Sequence, residues 1–539
     1  MPLNDQRWMQ GADFPEDCGS QLCAQARLEC ALIPDQIPRT LRAVTDSESS
    51  RNGRTIVVCL DGTGDQFDGD NTNIVHLTSC LKKDAKSQLT YYQAGVGTYS
   101  TNGLITGFVS GIDAAIGSFL GLHLRDAYSF IVHSYKEGDK ICLFGFSRGA
   151  YTARCLAGMI HKVGLLPPRN VAQIPFAYEI YKNDSPAGYK TSAEFKKTFC
   201  NNVDVYFLGL FDTVDSVGLM PRELPFNAGA KDRCRFFRHA LALDERRAKF
   251  QVRQYYGIHD WARKPCNLYD IVRSIVRTLG AAPPPEADTV EAQLESPEQP
   301  QYHVKHSGVI THRPDTDVLE VWFAGHHSNV GGGAWPNAER HKMSNIPLRW
   351  LIRQCFECNT GIIFNTDALA EQGIDVHLLW PRYQPLQVPT MESSPFLLEQ
   401  YSIGLPPKSK RSQALKPFER HKKKHGFYSL ESLKTLLQDS STEWLPEQIE
   451  DCFDALAADY NALQMKKLWW ILEIWPVQFN VWNRLRGAWE SFWGLNLAQP
   501  RPVHGAQPLL HWTVRYRMLN LGISSPARMQ DNAVWKIVA

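Results

Sequence analysis

The sequence predicts an α/β fold, a mostly parallel sheet with helices on both faces, followed by a mainly helical C-terminal region. Short apolar runs alternate with helix-like stretches, the pattern of parallel strands joined by crossover helices. One apolar run, Ile141 to Phe144, leads directly into Gly145-Phe146-Ser147-Arg148-Gly149, a G-x-S-x-G turn between strand and helix. Residues able to do chemistry stand just past the ends of three predicted strands, the edge of an open α/β sheet where sites form.

Taken in order, residues 1–52 read as a loosely ordered lead-in. Arg54 to Leu60 is the first apolar strand, and it ends in the turn cluster Asp61-Gly62-Thr63-Gly64-Asp65. A helix is expected over Asn71 to Leu81, a strand over Leu89 to Gln93 and a helix over Leu122 to Tyr135. Leu104 to Leu124 is apolar enough to raise a membrane span, which needs about 20 residues. Gly103 just before it, four glycines within it and a central Asp113 argue instead for a loop and helix buried on the sheet. After the Ser147 turn, Ala150, Ala153, Ala157 and Gly158 keep the next helix slim, and Gly164 and Pro167 stop it.

Val203 to Phe211 is the next buried strand, with Asp212 at its end. Arg238 to Phe250, dense in charge, reads as a helix. Residues 280–300, rich in Pro, Ala and Glu, read as a disordered insertion. Val318 to Ala324 is a strand followed by Gly325-His326-His327-Ser328-Asn329, and Ile346 to Cys358 reads as a helix. The reading divides the chain into the lead-in, a domain over 53–350, and a helical, tryptophan-rich region over 351–539. Pro406 to His425 is a basic linker or loop. Trp469, Trp470, Trp475, Trp482, Trp489 and Trp493 crowd one short stretch. Those rings suit a lipid interface, or equally an aromatic helical cap packed on the core.

Composition narrows the classes. At 539 residues the chain holds two domains or one large decorated one. A net charge of +2 gives no nucleic-acid footprint. Thirteen scattered cysteines, read as holding no C-x-x-C pair and no zinc-like spacing, imply reduced thiols. Met1 to Glu16 is polar and has no apolar core of a signal peptide, so a cytoplasmic protein is expected, with peripheral membrane contact left open. No cofactor or metal is expected, and the oligomeric state is not readable.

The chemistry-bearing residues run Ser147, Asp212, His327, which is the chain order of an α/β-hydrolase triad. A serine hydroxyl needs a neighbouring imidazole to take its proton, and an acid to fix that imidazole's tautomer. Asp215 rivals Asp212, and His326 rivals His327. The oxyanion of an acyl-transfer intermediate needs N–H donors, for which the backbone of Arg148 and of Gly62-Thr63 are placed. Asp244 to Arg247 reads as a surface ion-pair lattice, with an anionic head-group site as its alternative.

These motifs together — Asp61-Gly-Thr, Gly-Phe-Ser147-Arg-Gly-Ala-Tyr-Thr-Ala-Arg, Phe211-Asp-Thr-Val, His239-Ala-Leu-Ala-Leu-Asp-Glu-Arg-Arg and Gly325-His-His-Ser-Asn — resemble the α/β-hydrolase family that includes type VI secretion phospholipase effectors, over about residues 53 to 350. The resemblance implies a Ser147–Asp212–His327 triad and ester hydrolysis of lipids or phospholipids through an acyl-enzyme. It selects His327 over His326. One departure is Asn329, where the family usually has Asp. Two other readings compete. A haloacid-dehalogenase phosphatase needs a nucleophilic Asp where this chain has Cys59. A catalytically weak protein would bind membrane or a partner through the tryptophan-rich region.

Overall fold

The computed structural model describes residues 36–47, 53–62, 65, 67–83, 86–95, 109–214, 234–255, 316–389, 427–429, 447–466, 469–473, 476–483, 488–524 and 527–539, and of these the side chains of 109–119 and most of 471–493 are left undescribed. Among the described residues eight strands form one sheet: β1 (Thr55–Leu60), β2 (Gln88–Gln93), β3 (Lys140–Phe146), β4 (Val205–Phe211), β5 (Cys234–Ala242), β6 (Asp317–Phe323), β7 (Leu509–His511) and β8 (Lys536–Val538). Their order is β8-β7-β6-β5-β4-β3-β1-β2, and every neighbouring pair is parallel. Strands buried on both faces need continuous apolar runs. Thr55–Leu60 is such a run, buried throughout.

Each face carries its own helices. Alternate residues of β1 divide between two cores: Val57 and Cys59 to one, Ile56, Val58 and Leu60 to the other. On the first face lie α1 (Asn73–Cys80), through Ile74 and Leu77, and α7 (Asn345–Glu357), through Leu348, Leu351 and Phe356. On the second lie α2 (Val109–Ser134), α3 (Ser147–Val163), α4 (Ile174–Lys182) and α5 (Pro186–Phe199). α2 buries Leu120, Leu124, Ala127, Tyr128 and Ile131; of the apolar segment that raised a membrane span, residues 104–108 lie outside the described residues. Among the described residues no helix is long and apolar enough to cross a membrane.

Three expectations are corrected. Arg238 to Phe250 is not a helix. It begins in β5 and ends in a short 3-10 turn at Ala248–Phe250. A charged stretch can run through a central strand because its polar groups find distant partners. Arg238 bonds Gln354 at 2.7 Å and pairs with Asp317 at 3.1 Å, and His239 reaches Glu320 at 2.9 Å. After residue 350 the described residues are only partly helical. They supply β7 and β8 to the sheet, and Trp482, Trp489 and Trp493 lie in two antiparallel strands, Pro476–Asn483 against Ala488–Leu495, with Trp482 opposite Trp489. Cysteine spacing also holds one C-x-x-C pair, Cys355 and Cys358. Burial pushes both thiols up, Cys358 to about 12, which keeps them protonated packing groups.

The helices of this region are docked by buried ions. On α7, Arg349 pairs with Asp451 and Asp454, each at 2.5 Å, and Arg353 with Glu447 at 2.5 Å, all three acids lying on α8 (Glu447–Leu456). Just before α7, Arg340 reaches Glu450 at 2.8 Å. Helix α9 (Trp512–Leu521) packs beside α8. The insertion over 280–300, the basic stretch over 406–425, Asp215 and Thr63 lie outside the described residues.

Candidate active site

The serine turn follows from local sterics. Ser147 sits at φ 57°, a conformation a non-glycine residue holds only where the surroundings enforce it. Its flanking glycines are required by close approach. A Cβ on Gly145 would lie 2.5 Å from the Ala150 Cα, and one on Gly149 would lie 2.2 Å from the Leu60 carbonyl oxygen. The turn therefore packs α3 directly onto β1 and β3. Ser147 itself is only 6% exposed.

Sheet register brings the other residues to the same edge. Phe146 lies opposite Phe211 in neighbouring strands, so Ser147 and Asp212 leave adjacent strand ends. Asp212, at φ 39°, is fully buried. His327 opens α6 (His327–Gly331), the short helix after β6. Its Nδ1 lies 2.5 Å from Asp212 Oδ2. The imidazole stacks on Phe146 at 4.7 Å between centroids and meets the Phe250 ring edge-on at 4.8 Å. That stack places His327 against the residue that immediately precedes Ser147. With Nδ1–H given to Asp212, Nε2 is the ring nitrogen open to take a proton. His326 is differently engaged, its Nδ1 2.9 Å from Asp459.

Charges around the pair are matched. Burial works to raise the Asp212 carboxyl, but the Arg501 guanidinium and the His327 hydrogen bond outweigh it and hold it well below the usual range. Burial lowers His327 from its ordinary value, opposed in part by Asp212. Glu245 holds the histidine's backbone, accepting from the His327 N–H at 3.1 Å. Its carboxylate also accepts from the Arg247 guanidinium at 2.8 and 2.9 Å. Burial works against that charge, but the Arg247 bonds bring Glu245 down to about 2. This pair corrects the surface-lattice expectation for Asp244 to Arg247: Glu245 and Arg247 are buried against the histidine turn. Arg247 in turn lies over the Phe250 and Trp469 rings, at 3.4 and 4.8 Å.

The candidate oxyanion donors divide. Arg148 stands in the first turn of α3, where the helix dipole is positive. The Gly62 N–H instead donates to Asp61 Oδ1 at 2.9 Å. Asp61 also accepts from Thr72 Oγ1 and Tyr92 Oη, so it braces the turn after β1. Burial pushes Asp61 up to about 6. Asp65 rises to about 7, through burial and the charges of Asp61 and Asp68. Asn329, where the resemblance leads one to expect Asp, uses its Oδ1 to accept from the His326 and Tyr460 N–H groups.

Sequence reasoning missed two members of this arrangement. Glu245 lay inside the motif His239 to Arg247 but was read as surface. Arg501 reaches Asp212 from 289 residues away, at 2.6 and 3.0 Å, and no local spacing marks it.

A parallel sheet with a strand–serine–helix turn, and an imidazole bonded to a strand-end carboxylate beside it, defines an α/β protein of the hydrolase type. Residues 54–354 match the family described as "T6SS, Phospholipase effector Tle1-like, catalytic domain", and the chain belongs to it. Membership supports lipid-ester hydrolysis as the general class of activity. The chain is also similar to Uncharacterized protein YEL023C of Saccharomyces cerevisiae, 25% identical across 88% of this chain and 80% of that one. Among solved structures it is similar to an uncharacterized protein from Pseudomonas aeruginosa, at 15% identity over 64% of this chain with a TM-score of 0.30. It is similar too to the Tle1 effector bound to the VgrG spike of the type 6 secretion system, at 18% identity over 40% of this chain with a TM-score of 0.22. The chain spans about half of each of those two structures, 48% and 49%.

Proposed function

We propose that this chain is a serine hydrolase that cleaves carboxylic esters of lipids, phospholipids included, through an acyl-enzyme. Ser147 Oγ attacks the ester carbonyl while His327 Nε2 takes its proton. Asp212 stabilises the imidazolium that forms without itself being protonated. The negative oxygen of the tetrahedral intermediate faces the first turn of α3, with the Arg148 N–H as donor. Collapse expels the alcohol, which leaves with the proton from His327. A water, deprotonated by the same nitrogen, then frees the acid and restores Ser147. The observation that carries this reading is the 2.5 Å bond between His327 and Asp212, with Ser147 held at positive φ at the end of the strand next to that of Asp212.

The test is hydrolysis of p-nitrophenyl esters and of phospholipid vesicles, alongside labelling by a fluorophosphonate probe. The wild-type chain is expected to label and turn over. Ser147→Ala is expected to do neither while keeping its melting temperature, since loss of a triad nucleophile costs on the order of a millionfold in turnover. Labelling that survives in Ser147→Ala would overturn the assignment.

A further inference from the structure

We propose that Arg501 is a positioning residue for this site: it fixes the Asp212 carboxylate toward His327 and offsets its charge. The inference rests on the triad reading above, and it brings into the site a residue outside 54–354. The guanidinium is 2% exposed and uses all five of its N–H donors. Nη1 donates to Asp212 Oδ1 at 2.6 Å and to the Ala242 carbonyl at 2.9 Å. Nη2 donates to Asp212 Oδ2 at 3.0 Å and to the Phe250 carbonyl at 2.6 Å. Nε donates to the same Phe250 carbonyl at 3.1 Å. Oδ1 accepts further from the Ala242 N–H at 2.9 Å, and Oδ2 from His327. The carboxylate is thus gripped in one plane by a rigid fork, which a lysine could not reproduce. Two of the five bonds tie that fork to Phe250, the residue whose ring meets His327.

Such a partner has a chemical consequence. An acid that meets only neutral donors turns its full charge on the imidazolium and raises the histidine. Here a cation shares that charge, so the acid orients the ring with less rise in its basicity. The other groups facing His327 are Glu245, through the backbone N–H, with its partner Arg247. Phe146 and Phe250 cover the ring faces. On the far side of Asp212, His239 Nε2 accepts from the Thr213 N–H at 3.0 Å and its Nδ1 meets Glu320.

The readout is the acid limb of kcat/KM against pH on a soluble ester. In the wild-type protein its midpoint is expected below about 6.5, the value of an unperturbed histidine. Arg501→Gln removes the cation. Asp212 then either bears on His327 with its full charge or takes up a proton itself, and both push the midpoint upward. A rise of about one unit, a tenfold fall of activity at pH 6 relative to pH 8, is expected. Arg501→Lys keeps the charge without the fork, so its midpoint should stay near wild type while kcat falls and KM holds. A folded Arg501→Gln protein with a wild-type profile would overturn the proposal, as would an Arg501→Lys shift as large as that of Arg501→Gln. If neither variant folds, the wild-type midpoint decides, and a value of about 7 or above overturns it. Failure of the triad reading itself shows separately, as fluorophosphonate labelling of Ser147→Ala.

Discussion

The residues of the site divide by how they can be read. Ser147 and Asp212 each carry a local mark, a glycine-framed turn and a strand end, whereas the glycine-rich turn after a strand left His326 and His327 level and only the family resemblance chose between them. Arg501 and Glu245 act by contacts that form only when distant segments meet, so no spacing announces them. This shapes the expected outcome at Asp212. Asp212→Asn puts an amide where the imidazole needs an acceptor, a change worth about 10⁴ in turnover in a well-studied triad. It also leaves the buried Arg501 without its counter-charge, so a lowered melting temperature should accompany the loss of kcat. His326→Ala, whose ring faces Asp459, should spare most turnover. Comparing kcat of the two variants checks the pair, and equal losses would contradict the geometry.

Asp65 gives a second prediction at this scale. Its folded value of about 7 lies above that of a free carboxyl, so the folded protein holds this proton more tightly than the unfolded chain. Stability from that proton is present at low pH and fades as pH climbs from about 4 to 7. Asp65→Asn removes the half-buried charge without removing the side chain. It should raise the melting temperature by a few degrees at pH 8 and change it little at pH 5, which thermal scans at the two pH values will read.

At the scale of elements, the strands around the serine turn were legible because they are apolar on both faces, as a central parallel strand must be. β5 was not, because Arg238 and His239 look like helix-surface residues until Asp317, Gln354 and Glu320 are seen beside them. The α7–α8 contact was equally hidden: its charges suggest two solvated faces, but they point at one another. That arrangement makes a strong prediction. Arg349→Met keeps the bulk of the side chain but strands Asp451 and Asp454 in the interior. Breaking a buried ion pair from one side costs about 3–5 kcal/mol. Denaturant unfolding should show a loss of that order, far beyond the few tenths typical of an exposed ion pair. The arginine's opposing effect prevails at Asp454, which burial works to raise but Arg349 and His341 bring down to about 2, whereas at Asp451 burial outweighs it and the carboxyl rises to about 7.

At the scale of the whole molecule, the family match ends at residue 354, yet the described sheet and site do not. β7 adds to the sheet beside β6, with Leu509 opposite Val321, and β8 closes that edge. A separate core forms there from Leu241, Trp322, Val503, Leu510 and Val514, joining β5 and β6 to the C-terminal residues. Arg501 lies in the segment that leads into it. A chain ending at Lys466 would lose β7, β8, Arg501 and this core together. It would leave β6 as an unpaired edge with Trp322 uncovered, the kind of edge that templates aggregation. Asp212 would keep its charge in the interior with no cation to meet it. The expected outcome is a chain recovered in the insoluble fraction, or a soluble one that unfolds at low temperature and takes no fluorophosphonate label. A chain of residues 1–466 that is monomeric, melts like the full-length protein and labels at Ser147 would show instead that the first six strands fold and assemble the site on their own.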